Sequence, residues 1–140
     1  MDIGRGRSTT NVALWIVQGL LAALFLFAGG AKLVLPLDQM TGPVALPRWF
    51  LRVIGVAEML GALGLVLPGL LRIRPGLTSV AAAGLVIIMI GATALTVAAG
   101  AVVPALISLV VGLLAAFVAY GRWRLAPHRQ RVSPVSAQVR

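Results

Sequence analysis

Residues 50–71 read FLRVIGVAEMLGALGLVLPGLL, an apolar run in which only Arg52 and Glu58 carry a formal charge. A helix of this length crosses the roughly 30 Å hydrocarbon core of a bilayer at about 1.5 Å per residue. Inside hydrocarbon a helix satisfies its own backbone N–H and C=O groups, so the run predicts a transmembrane helix that carries one carboxylate within it. Three further runs have the same character. Residues 12–35 are broken only by Gln18 before Lys32 and Pro36 close them, while 77–99 and 102–121 hold no charge. The expectation is an all-α integral membrane four-helix bundle.

Composition agrees with that reading. The chain has 140 residues, 60% hydrophobic and 11% charged, with a mean hydropathy of +1.04, whereas soluble domains hold about half apolar and a quarter charged residues. Beyond the domain 12–121 there is room for an N-terminal tail, 1–11, and a basic, disordered C-terminal tail, 122–140. The absence of cysteine excludes disulfides, thiolate nucleophiles, iron–sulfur clusters and zinc-thiolate sites. His128 is the single histidine and falls in the tail, so one chain cannot hold a haem between two intramembrane histidines. No intrinsic cofactor and no metal site is expected. Electrons in any redox role would belong to a partner or a diffusible ligand.

Charge distribution sets an expected orientation. Nine of the twelve basic residues, among them Arg5, Arg7, Arg72, Arg74, Arg122 and Arg124, fall in segments that four crossings place on one side. Lys32, Arg48 and Arg52 fall on the other. The positive-inside rule then predicts that both termini are cytoplasmic. Trp15, Trp49, Tyr120 and Trp123 lie near span ends as aromatic anchors. A secretory signal peptide fits the first run poorly, because the run exceeds a typical h-region and no small-x-small cleavage site follows it. Arginines gathered at membrane edges without aromatic interleaving point to anionic lipid rather than nucleic acid.

Glu58 is the informative side chain, since an ionisable group in a span is costly and by default faces the bundle interior with a partner. Lys32 is the best candidate. Side chains tilt toward their helix N-terminus, so on antiparallel helices Lys32 leans inward while Glu58 leans up toward it. Helix rise puts Glu58 roughly 14 Å and Lys32 about 5 Å below the surface, a gap two extended side chains can close. Arg52, about 120° around the helix from Glu58, is expected to snorkel to the interface. Gly55, Gly61 and Ala62, one turn from Glu58, either admit a neighbouring helix or line a cavity for a flat ligand. Hence Glu58 and Lys32 are either a buried ion pair that fixes register or a site for a lipophilic ligand such as a quinone or lipid. Gln18, Thr78, Ser79, Thr93, Thr96 and Ser108 are the other polar residues in or beside the spans, and the serines and threonines among them are expected to bond their own helix. Gly84 and Gly91, seven apart, can share a packing stripe. No nucleophile with a neighbouring base can be named, so no catalytic residue is assigned.

Across residues 14–122 the chain resembles the DoxX-like family of small bacterial membrane proteins. The residues that carry the likeness are Phe27-Ala28-Gly29-Gly30-Ala31-Lys32-Leu33, then Arg52 through Leu65 with Glu58 and Gly61, then Pro68, Ala81-Ala82-Ala83-Gly84-Leu85, Gly91-Ala92 and Tyr120-Gly121-Arg122. The resemblance implies a four-helix bundle in the bacterial inner membrane and marks Lys32 and Glu58 as the family-type polar pair. It also implies association with a quinone-linked oxidoreductase complex, as for some relatives. The histidine that many relatives carry late in the third span is replaced here by the run Ala94-Leu95-Thr96-Val97. Two functions follow as expectations. One is a subunit of a quinone-linked membrane complex with a ligand cavity near Glu58. The other is a structural or assembly subunit that packs against a larger membrane complex, or against its own copies, and does no chemistry.

Overall fold

The computed structural model describes residues 3–39, 42–74 and 76–125. Four helices follow in order: α1 (Ile3–Val34), α2 (Arg48–Leu70), α3 (Gly76–Ala98) and α4 (Val102–Leu125), with a 3-10 turn at Leu37–Gln39 between the first two. All four are long and apolar enough to cross a membrane, and no strand occurs among the described residues. Consecutive helices pack as neighbours and α4 closes against α1, which makes a four-sided bundle. The chain is a multi-pass membrane protein.

Helix boundaries exceed the predicted spans at both outer ends. α1 starts at Ile3 rather than near residue 12, because 3–34 contains no proline and the Thr10 hydroxyl donates to the Gly6 carbonyl within the added turn. α4 runs on to Leu125, so Arg122 and Arg124 stand in its last turn instead of in a tail. Cationic side chains there face the negative end of the helix dipole. The tail expected beyond that point, with His128, lies outside the described residues. Between α3 and α4, Gly100 adopts φ +74°, and the Gly100 and Ala101 amides donate to the carbonyls of Val97 and Thr96. That is a Schellman stop, which needs a left-handed residue just past the helix.

The core is small and central: Leu21, Ala22 and Phe25 from α1 meet Ala62 and Leu65 from α2, Ala82, Leu85 and Met89 from α3, and Ala115 and Val118 from α4. Large aliphatic side chains such as Leu20, Ile87 and Leu113 point outward, as lipid solvent requires, since the bilayer exerts no hydrophobic force between helices and close packing must hold them. Gly29 and Gly55 give the tightest approach relevant to the polar pair. A Cβ at Gly29 would lie 2.7 Å from the Gly55 carbonyl oxygen, and one at Gly55 would lie 3.0 Å from Lys32 Cβ. Gly84 and Gly91 instead face outward, with nothing within 4 Å of an added Cβ, so the expected packing stripe on α3 is not used within the chain.

This contact yields a paired test. Gly29→Ala should lower the thermal midpoint in detergent, at a cost of about 1–3 kcal/mol for overpacking against a backbone carbonyl. Gly30→Ala, whose new methyl would meet nothing within 4 Å, should leave the midpoint unchanged or raise it through helix propensity. Equal behaviour of the two variants would refute the close α1–α2 approach.

Candidate functional site

Lys32 falls in the last turn of α1 and Glu58 near the middle of α2. Because Gly29 and Gly55 let these helices approach backbone to backbone, the two side chains meet: Lys32 Nζ lies 2.8 Å from Glu58 Oε2. The carboxylate side chain is 5% exposed and the lysine side chain 20%. The ammonium also makes a longer contact, 3.5 Å, to the Ala28 carbonyl. A charge-assisted hydrogen bond of this length offsets part of the desolvation of both ions, and neither tolerates loss of the other. Chemically the pair presents a positive donor at its more open edge and a negative acceptor beneath it.

Arg52 does not simply reach for the interface. Its Nη1 donates to the Leu33 carbonyl at 2.9 Å, so it caps the last carbonyls of α1, which have no partner in their own helix. Sequence spacing placed Arg52 correctly away from Glu58, but the acceptor belongs to another helix. Farther out, Arg48 pairs with Asp38 on the exposed loop.

The three small residues divide their roles. Gly55 and Ala62 are buried, Gly55 against α1 and Ala62 in the core at 1% exposure. Gly61 faces Leu85, whose side chain fills the space a Cβ would take, and it borders a groove of about 330 Å³ between α2 and α3. Close helix approach therefore accounts for Gly55 and core packing for Ala62, while Gly61 both meets Leu85 and borders the groove.

A second polar cluster, at the opposite end of the bundle, was not legible as a cluster in the sequence. The Gln18 side chain, 1% exposed, donates from Nε2 to the Leu65 carbonyl of α2 at 2.6 Å and accepts at Oε1 from Arg122 Nε of α4, also at 2.6 Å. Arg122 Nη1 donates to Asn11 Oδ1 at 2.9 Å, and its guanidinium lies 5.2 Å from the centre of the Trp15 ring. Gln18 thus bonds two other helices, whereas Thr93 and Thr96 bond their own helix as expected, donating to Met89 and Ala92 carbonyls, and the buried Ser79 Oγ departs from that expectation, with no hydrogen-bond partner among the described residues. Trp15 is half-buried, packed under Arg122 and against Gly69, while Trp49, Tyr120 and Trp123 are exposed. The available signal was the spacing of Asn11, Trp15 and Gln18, four and three residues apart on one face of α1.

With this geometry in view, the model of the DoxX-like family matches residues 16–118. The match covers most of the chain, and the chain belongs to that family. It includes Lys32 and Glu58 as well as Gln18, and stops short of Asn11, Trp15 and Arg122. No curated protein and no solved structure matches the chain.

The two clusters predict different responses to substitution. Lys32→Met should cost about 3–5 kcal/mol by leaving a buried carboxylate unpaired. Glu58→Gln should cost less, because the amide oxygen still accepts from Nζ, and Lys32→Met/Glu58→Met should recover much of the loss; unfolding in detergent measures all three. Gln18→Leu should cost about 1–3 kcal/mol by stripping the Leu65 carbonyl and Arg122 of a buried partner, while Thr96→Val should stay within about 0.5 kcal/mol because only a bond within one helix is lost.

Proposed function

We propose that this protein is a small subunit of a quinone-linked redox complex in a bacterial inner membrane, with both termini cytoplasmic, and that the Lys32–Glu58 pair receives a flat lipophilic ligand. The observation that carries the reading is the 2.8 Å contact between an ammonium with a partly open edge and a buried carboxylate. Intramembrane ionisable groups mark functional sites by default, and this pair offers a donor, Lys32 Nζ, to a quinone carbonyl and an acceptor, the Glu58 carboxylate, to the hydroxyl of the corresponding quinol. A chain without cysteine, whose single histidine lies at position 128, leaves electron carriage to partner subunits. The orientation rests on the excess of arginine at the end that bears Arg72, Arg74, Arg122 and Arg124.

A second reading, an assembly subunit without chemistry, is favoured by the packing around the carboxylate. Gly55 is filled by α1 and Ala62 by the core, so the pair also serves as a register pin between α1 and α2.

One preparation separates the two. Protein purified in mild detergent should carry extractable quinone, and Glu58→Gln should lose it by at least tenfold while remaining folded and losing less stability than Lys32→Met. Equal quinone content in both samples would overturn the ligand role, and a stoichiometric partner retained regardless of Glu58→Gln would establish the assembly role.

A further inference from the structure

The α3–α4 hairpin carries a furrow on the side away from the Lys32–Glu58 pair. Near the end of the bundle that bears Arg124, a cavity of about 460 Å³ is bordered by Ser79 and Ala83 of α3 and by Tyr120, Trp123 and Arg124 of α4. Deeper in the membrane a second cavity of about 410 Å³ follows, bordered by Val86, Ile90 and Thr93 of α3 and by Leu109, Leu113 and Ala116 of α4. On α3 the positions 79, 83, 86, 90 and 93 recur at spacings of four and three, and on α4 the positions 124, 120, 116, 113 and 109 do the same. Each set shares one helix face, so the two cavities follow one another along a single α3–α4 furrow line. From Ser79 to Thr93 it runs about 21 Å along the helix, more than the roughly 15 Å that one leaflet's acyl chains span.

Charge decides the occupant. Arg72, Arg74, Arg122 and Arg124 crowd this end, while the described carboxylates, Glu58 and Asp38, are engaged by Lys32 and Arg48 at the other. Arg122 donates to Gln18 and Asn11. Arg124 makes no hydrogen bond or ion pair among the described residues; its guanidinium lies 5.9 Å from the centre of the Tyr120 ring. A cation–π contact steadies the guanidinium and leaves its N–H edge free. The exposed rings of Tyr120 and Trp123 stand where aromatic residues meet lipid headgroups. A second copy seated here in the same orientation would bring another arginine-rich rim against this one, so like charge opposes that arrangement.

We infer that this furrow is a binding site for an anionic phospholipid of the leaflet bordering Arg124, its phosphate on the Arg124 guanidinium and one acyl chain laid along Ala83, Val86 and Ile90. The site takes both of its selectivities from the fold: length from the α3–α4 crevice, and charge from an arginine that no described side chain neutralises.

The test is native mass spectrometry of the full chain in mild detergent, titrated with dioleoyl phosphatidylglycerol or, separately, dioleoyl phosphatidylcholine. The expected result is one tightly held phosphatidylglycerol per chain, at least tenfold tighter than phosphatidylcholine of the same chain length. Arg124→Gln should reduce that preference to twofold or less, Ala83→Trp should weaken both lipids by filling the crevice, and Arg72→Gln should leave the preference intact. Equal binding of the two lipids, an unchanged preference in Arg124→Gln, or an equal loss in Arg72→Gln would overturn the site. So would Ala83→Trp binding both lipids undiminished, or a dimer in place of the lipid adduct.

Discussion

A single carboxylate buried among four apolar helices sets the terms for everything around it. Glu58 has its cation at 2.8 Å, and that distance is reached only because α1 and α2 come together across Gly29 and Gly55. In a bilayer no hydrophobic force pulls two helices together. The ion pair supplies direction and register, and the two glycines supply the proximity that lets it form. Arg52 closes the same seam from above by bonding the Leu33 carbonyl, so the end of α1 is fixed by two cations with different acceptors.

At the other end the device is different. Gln18, Arg122, Asn11 and Trp15 tie α1 to α2 and α4 through hydrogen bonds and one cation–π contact, with no carboxylate involved. Between the two clusters lies a core of modest side chains around Phe25. Polar interactions therefore fasten α1 near both of its membrane borders, whereas α3 and α4 hold each other by packing. This asymmetry fits a bundle in which α1 and α2 carry the polar site and the α3–α4 hairpin offers its length to lipid.

Much of this was readable from residues alone, for identifiable reasons. Uninterrupted apolar runs around Glu58 and through 77–99 and 102–121 leave hydrocarbon few structural options, so the number and type of elements followed directly. The partnership of Lys32 and Glu58 followed from side-chain tilt on antiparallel helices. What escaped was set by which helices touch. Trp15 near a span end looks the same whether it faces lipid or lies beneath an arginine of α4, and Gln18 gives no local hint that its acceptor and donor belong to two other helices. Helix ends also went further than hydropathy suggested, since the threonines and arginines of 3–11 and 122–125 continue a helix as readily as they end a hydrophobic run.

The two bonds of Gln18 restrict that position more than any contact in the core does. Its amide gives a proton to a backbone oxygen on one flank and takes one from a guanidinium on the other. A carboxylate of the same length would satisfy the arginine yet set oxygen against oxygen at Leu65, and an ammonium would reverse the fault. Only a terminal group with opposite polarity at its two corners serves both flanks, and asparagine is a methylene too short to span them. Where nearly every neighbouring site in the span accepts a range of aliphatic shapes, this one is held to a single side chain by geometry.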